Sequence, residues 1–224
     1  MPKNGSNSGA AVWAILRKEC RSEWRTRYGL NAALLFSITT LTAVSFAVGR
    51  LGDRTDVLSA LLWVVLLFAA LSSLAHTFVR EVEGHTLTLL RLVASPSAIA
   101  FGKLLFNLMF LAVIELVTVP LFMVLMGGPP LHWGPFLTLL SLGSVALAAA
   151  CTLVGAVISQ TRGRGALFAG VSFPLLLPML AGAVSGTRAQ WQGVSAAAEM
   201  RLLTAYAAAL LGVSVLLYDH LWED

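Results

Sequence analysis

The stretch VLSALLWVVLLFAALSSLAHTFV, residues 57–79, runs for 23 residues without an Asp, Glu, Lys or Arg. An α-helix rises about 1.5 Å per residue, so such a run covers the roughly 30 Å of a bilayer's hydrocarbon. Its middle, Leu61-Leu62-Trp63-Val64-Val65-Leu66-Leu67-Phe68, does not alternate apolar with polar residues. That excludes a strand of a transmembrane barrel and leaves a helix. Moving outward, comparable runs recur at 28–49 on the N-terminal side and at 104–126, 136–159, 165–187 and 202–218 on the other. The apolar region from Leu104 to Thr161 is divided by Gly127-Gly128-Pro129-Pro130 and by Gly134-Pro135, both turn signals. The expected fold is an all-α integral membrane protein with six transmembrane helices, a single membrane domain over residues 1–224.

Composition points the same way. Of the 224 residues 58% are hydrophobic and 12% charged, with a mean hydropathy of +0.82, whereas a soluble domain carries about a quarter charged. A soluble enzyme is therefore excluded. With 19 Gly, 8 Pro and 2 Cys, so are collagen-like, disordered and disulfide-scaffold classes. Lys and Arg divide unevenly between the loops. Eleven (Lys3, Arg17, Lys18, Arg21, Arg25, Arg27, Arg80, Arg91, Lys103, Arg162 and Arg164) fall on one side, and four (Arg50, Arg54, Arg188 and Arg201) on the other. The richer side is cytoplasmic by the positive-inside rule, which places both termini in the cytoplasm. That asymmetry accounts for the pI near 9.5, so no nucleic-acid partner is needed. The polar residues 1–10 and the basic stretch after them lack the apolar segment of a cleavable signal. Cys20 on the cytoplasmic side and Cys151 inside the fourth span are not expected to pair.

Residues 11–27 place Trp13, Leu16, Cys20 and Trp24 at helical spacing among Arg17, Lys18, Arg21, Arg25 and Arg27. This pattern fits an amphipathic elbow helix in the cytoplasmic headgroup plane. A basic flank with no further role, or a partner-binding helix, has the same pattern. Between spans two and three, 24 residues (80–103) occupy the cytoplasmic face where a few would connect the spans. Arg80-Glu81-Val82-Glu83-Gly84-His85 is a polar cluster, residues 81–94 form a short amphipathic helix with Leu87 and Leu90 on one face, and Ser95-Pro96 reads as an N-cap with proline at the first helical position. The loop is either a docking element or a helix floating in the interface.

Inside the spans, Glu115 is the single formal charge, five residues before Pro120. A carboxyl at that depth belongs either to a substrate route or to a hydrogen bond between helices. Ser144, Ala148, Thr152 and Ala156 recur at i+4 in the fourth span, a stripe of small residues that lets helices approach closely. Pro174 and Pro178 interrupt the fifth span four residues apart, as a flexible coupling element or as a fixed kink. There is no GxxxxGK[ST], HExxH, GxSxG or CxxC motif, and no metal-ligand spacing of His and Cys. His132 beside Trp133 reads as a polar residue of an outer loop. Neither catalysis nor metal binding by the chain itself is expected.

Three stretches carry a family resemblance. Phe78 to Leu90, followed by Ser95-Pro96 and Lys103, resembles the cytoplasmic loop of type-2 ATP-binding-cassette permeases. Arg162-Gly163-Arg164-Gly165-Ala166-Leu167 and Phe173-Pro174-Leu175-Leu176-Leu177-Pro178 are similar to the fifth-helix entry of CcmB, the haem-exporter permease family of cytochrome c maturation. Leu16-Arg17-Lys18-Glu19 resembles the start of that family, and length and span number match along nearly the whole chain. The resemblance implies a bacterial inner-membrane permease subunit that docks a separate ATPase, CcmA, through Glu81, Glu83, Gly84, His85, Thr86, Leu87, Leu90, Ser95 and Pro96. It implies CcmC, CcmD and the haem chaperone CcmE as partners, and a second copy of the chain as the other permease half. ATP would sit on the partner and haem would be handled by the complex, with no cofactor held by this chain. A type-2 permease for a lipid, drug or glycan, a membrane assembly factor without an ATPase, and an intramembrane enzyme are the alternatives.

Overall fold

The computed structural model describes residues 8–51, 54–83, 95–127, 132–159 and 164–220; at 8, 72–83, 96, 156–159, 164–172, 215 and 217–220 the description is of the backbone alone. These residues form seven helices: α1 (Ser8–Thr26), α2 (Tyr28–Val48), α3 (Thr55–Glu83), α4 (Pro96–Met126), α5 (Trp133–Ser159), α6 (Arg164–Trp191) and α7 (Ala197–His220). The chain is an all-α membrane protein. Among the described residues three helices are long and apolar enough to cross a bilayer, namely Tyr28–Val48, Ser97–Met126 and Trp133–Gly155; the apolar part of α3 within them is Thr55–Leu71.

The helix ends follow local chemistry. Ser95 accepts a hydrogen bond from the Ala98 amide at 3.4 Å, with Pro96 opening α4, as the Ser-Pro pair leads one to expect. Gly127 ends α4 in the left-handed region, a conformation glycine adopts without a Cβ penalty. α5 begins at Trp133 rather than at 136, because Pro135 falls in the first turn, where no amide hydrogen is required. α3 runs on to Glu83, past the expected 79, since no residue before Gly84 breaks a helix. α1 and α2 are separated by one residue, Arg27, at φ 52°. The first amides of α2 are capped from the preceding helix, where a Glu23 carboxylate oxygen accepts from the Leu30 amide at 2.8 Å. A carboxylate there also meets the positive end of the helix dipole. Arg27 lies 4.9 Å above the Trp24 ring.

α5 is the central helix and packs against α3, α4, α6 and α7. Its small residues make this possible: Ala146, Ala148, Ala149 and Ala150 are buried, and a Cβ on Gly143 would stand 2.1 Å from the Trp63 ring. Trp63 is buried there and donates from Nε1 to Thr187 Oγ1 at 2.8 Å, joining α3, α5 and α6. Gly182 and Gly186 of α6 approach Leu202 of α7 and Leu139 of α5 in the same way. At one end of the bundle Ser45 of α2 meets the Leu125 carbonyl, Arg50 contacts Gly127, and Gln192 donates to Thr55 at 3.1 Å. This end also carries Arg54, Arg188 and Arg201; α1, with its arginines, packs at the other end beside the start of α4.

Candidate functional site

The expected docking segment divides at Gly84. Glu81 and Glu83 belong to the last turn of α3 rather than to a separate helix starting at 81, because Arg80 to Glu83 holds no helix breaker. Gly84, His85, Thr86, Leu87 and Leu90 lie outside the described residues. Ser95 is exposed at the N-terminus of α4, one residue before Pro96. α4 contains 31 residues, about 46 Å of helix against the roughly 30 Å of hydrocarbon. Its surplus is at the α1 end, where Ile15 and the Val12 carbonyl meet Gly102 and Cys20 Sγ reaches Met109 Sδ at 4.0 Å.

The seam between α4 and α5 carries the polar groups of the bundle interior. Asn107 Nδ2 donates to Thr152 Oγ1 at 3.0 Å, and Ser144 Oγ donates to Glu115 Oε1. Asn107 and Glu115 are eight residues apart on α4, and Thr152 and Ser144 eight apart on α5, so both bonds belong to one antiparallel register, about 12 Å apart along the axis. Between them Leu111 and Ala148 are both buried. Thr152 donates in turn to the Ala148 carbonyl at 2.7 Å, and the single Ser144 proton is shared between Glu115 and the Leu140 carbonyl, 2.7 Å away, which satisfies the hydroxyls inside the helix. Lys103, four residues before Asn107, is buried too. Ser214 of α7 has a buried hydroxyl with no partner among the described residues. With Thr152 it lines a cavity of about 10 Å³, the volume of about one water. The small-residue stripe of α5 is therefore also a stripe of hydrogen-bonding groups, and Glu115 is one member of a register.

Pro174 and Pro178 lie within the unbroken helix α6, both exposed on its outer surface. Pro178 has no amide hydrogen to give to the Pro174 carbonyl one turn back. From the neighbouring helix the Tyr206 hydroxyl of α7 donates to the Leu175 carbonyl. At the far end Trp191 stacks between Phe122 and Phe136, with ring centroids 6.1 and 6.3 Å away. His132 is exposed before α5. Among the described residues no group of three or more His, Cys, Asp or Glu could hold a metal ion, and both cysteines are free.

Sequence reasoning missed Asn107 and Tyr206, and gave no sign that Glu19 and Lys103 are buried. For Asn107 a signal was available: it is the other strongly polar side chain of its span, eight residues before Glu115. Nothing in sequence spacing links Tyr206 to Leu175, 31 residues away on another helix.

Comparison with known proteins gives one family and two relatives. The family model of the CcmB protein matches residues 10–220. Heme exporter protein B of Rhodobacter capsulatus is 27% identical over 202 residues, covering 89% of this chain and 93% of that protein. Heme exporter protein B of Bradyrhizobium diazoefficiens is 28% identical over 188 residues, covering 80% and 82%.

Proposed function

The chain belongs to the CcmB protein family, and from that membership we propose that it is the permease subunit of an ATP-binding-cassette complex for cytochrome c maturation in a bacterial inner membrane. The family match across residues 10–220 carries this reading, together with two relatives named as heme exporters. The chain supplies a helical membrane body, and a separate CcmA-like subunit supplies ATP hydrolysis. With CcmC-like and CcmD-like subunits, the complex exports haem or releases the haem-loaded chaperone CcmE. A second copy of the chain serves as the other permease half.

Six spans with both termini cytoplasmic form a single membrane domain, and α1 is the elbow at the cytoplasmic surface. Residues 81–94 with Ser95 and Pro96 receive the motion of the ATPase. Glu115 acts as a hydrogen-bonding partner between α4 and α5. α6, with Pro174 and Pro178, carries the motion toward the end where Trp191 stacks. The experiment is deletion of the gene and complementation in the native host. Covalent haem–cytochrome c should vanish while its apoprotein is still made, and the wild-type chain should restore it. Normal cytochrome c in the deletion strain refutes the assignment.

A further inference from the structure

Where α4, α5 and α7 meet, the cavity of about 10 Å³ is lined, among the described residues, by Ala100, Phe101 and Leu104 of α4, Thr152 of α5, and Leu211 and Ser214 of α7. Two of these carry hydroxyls. Ser214 is 3% exposed, and its Oγ has no hydrogen-bond partner among the described residues. Such a group has lost the hydrogen bonds of water without replacing them. Thr152 Oγ1 accepts from Asn107 Nδ2 at 3.0 Å and donates to the Ala148 carbonyl at 2.7 Å, which leaves one of its two lone pairs open. The edge of the cavity is not sealed, since Phe101 is exposed and Leu104 and Leu211 are half-buried. α4 has 31 residues and crosses the hydrocarbon with about 20 of them. With Met126 at the opposite boundary, residues 100–104 stand at the headgroup level, where water reaches the protein. α7 packs on α4, α5 and α6, yet its one described side-chain bond to another helix is that of Tyr206 to the Leu175 carbonyl, eight residues before Ser214.

We propose that this cavity is a binding site for one ordered water, which accepts the Ser214 proton and donates to the open lone pair of Thr152 Oγ1. Two partners are the least that hold a buried water, and the open edge leaves its second hydrogen for water at the interface. Asn107 of α4, Thr152 of α5, the water and Ser214 of α7 then form one chain of hydrogen bonds, so the seam between α4 and α5 also holds α7. An ion is a poorer occupant, because no residue of the described lining is charged. A lipid chain is poorer too, because it leaves the Ser214 hydroxyl unpaired. The site depends on helix packing and membrane placement and not on haem export, so it stands or falls separately from the transport assignment.

The test is unfolding of the full chain in denaturing-detergent titrations, for wild type, Ser214→Ala, Thr152→Val and the double variant. In a dry cavity Ser214→Ala removes an unpaired hydroxyl and makes the chain more stable, whereas with water bound it removes a hydrogen bond. Ser214→Ala should therefore lower the folded-to-unfolded ratio by about threefold, the worth of a typical hydrogen bond between membrane helices. The double variant should lose less than the product of the two single losses, by a similar factor, because either change already breaks the bridge. Ser37→Ala in α2, whose hydroxyl donates to the Ala33 carbonyl of its own helix, should show no such coupling to Thr152→Val. X-ray radiolysis, which oxidises side chains beside ordered water, should label Leu211 in the wild type and much less in Ser214→Val, which fills the cavity. A gain in stability or no change in Ser214→Ala overturns the proposal. So does a fully multiplicative loss in the double variant, which would mean that the Ser214 hydroxyl turns to a carbonyl of its own helix. Leu211 labelling that is unchanged in Ser214→Val also overturns it, since the label would then come from bulk water at the edge.

Discussion

Helices α2 and α5 have similar apolarity and opposite surroundings. Both are long and apolar enough to cross a bilayer, yet little of α2 is buried inside the protein and most of α5 is. α2 turns Leu35, Ile38 and Phe46 outward, the last 87% exposed, and packs on α3 and α4 alone but for a few contacts with α1. α5 carries Gly143, Ser144, Thr152 and a run of alanines, and touches four helices. Lipid tails are as apolar as leucine, so hydrophobicity places both helices in the membrane and cannot rank them. Side-chain size and hydrogen-bonding capacity decide which helix becomes the centre.

The sharpest way to break this comparison is to enlarge a small residue of α5. Gly143→Val puts a branched side chain where even a Cβ meets the Trp63 ring at 2.1 Å. Overpacking of this kind costs about 3 kcal/mol. The folded fraction in denaturing-detergent titrations should fall sharply, while Phe46→Ala in α2 should leave it unchanged. Equal effects of the two would remove the distinction between a central and a lipid-facing helix.

A finer probe is the seam. A double-mutant cycle on Glu115→Gln and Ser144→Ala should give a coupling of about 1 kcal/mol, within the range measured for hydrogen bonds between membrane helices. Asn107→Leu should lose a similar amount by removing the bond to Thr152. No coupling at either pair would mean that the shared register does not hold α4 to α5. Tyr206→Phe should lose about 1 kcal/mol by removing its hydrogen bond to the Leu175 carbonyl. No loss would mean that this bond does not help to hold α7 against α6.

These tests also mark how far the sequence could be read. Helical crossings were legible because uncharged runs of about 20 residues have one physical explanation in a chain with so few charges. The cap at Ser95 was legible because Ser-Pro has a local meaning. The stripe of Ser144, Ala148 and Thr152 was legible as a close-packing face, but not its partner, since Asn107 and Glu115 come from another helix and only the fold pairs them. The separate helix expected to start at 81 gives way to α3, which continues through Glu83, because an acidic pair is polar without being a helix breaker. Tyr206 was illegible because its target is a backbone carbonyl on a neighbouring helix.

The smallest expected effect concerns α1, the third kind of environment. Burial pushes the Cys20 thiol above its ordinary pKa, with Glu19 adding to it, so less thiolate is present near neutrality. Maleimide labelling of the native chain should be slow at pH 7 and accelerate as pH rises past the ordinary thiol range. A rate that levels off near pH 9 would place Cys20 in water.

The most direct test of the account concerns the ATPase, because a permease with no phosphate-binding loop depends on a partner for ATP hydrolysis. The full chain should be affinity-purified from its native membranes, and both co-purifying ATPase activity and membrane insertion measured for wild type and for Leu87→Asp/Leu90→Asp. The account expects ATPase activity to travel with the wild-type chain and to be lost from the double variant, with insertion intact. Activity that stays with the double variant would contradict docking through 81–94, and a wild-type chain that brings down no ATPase would contradict the permease assignment.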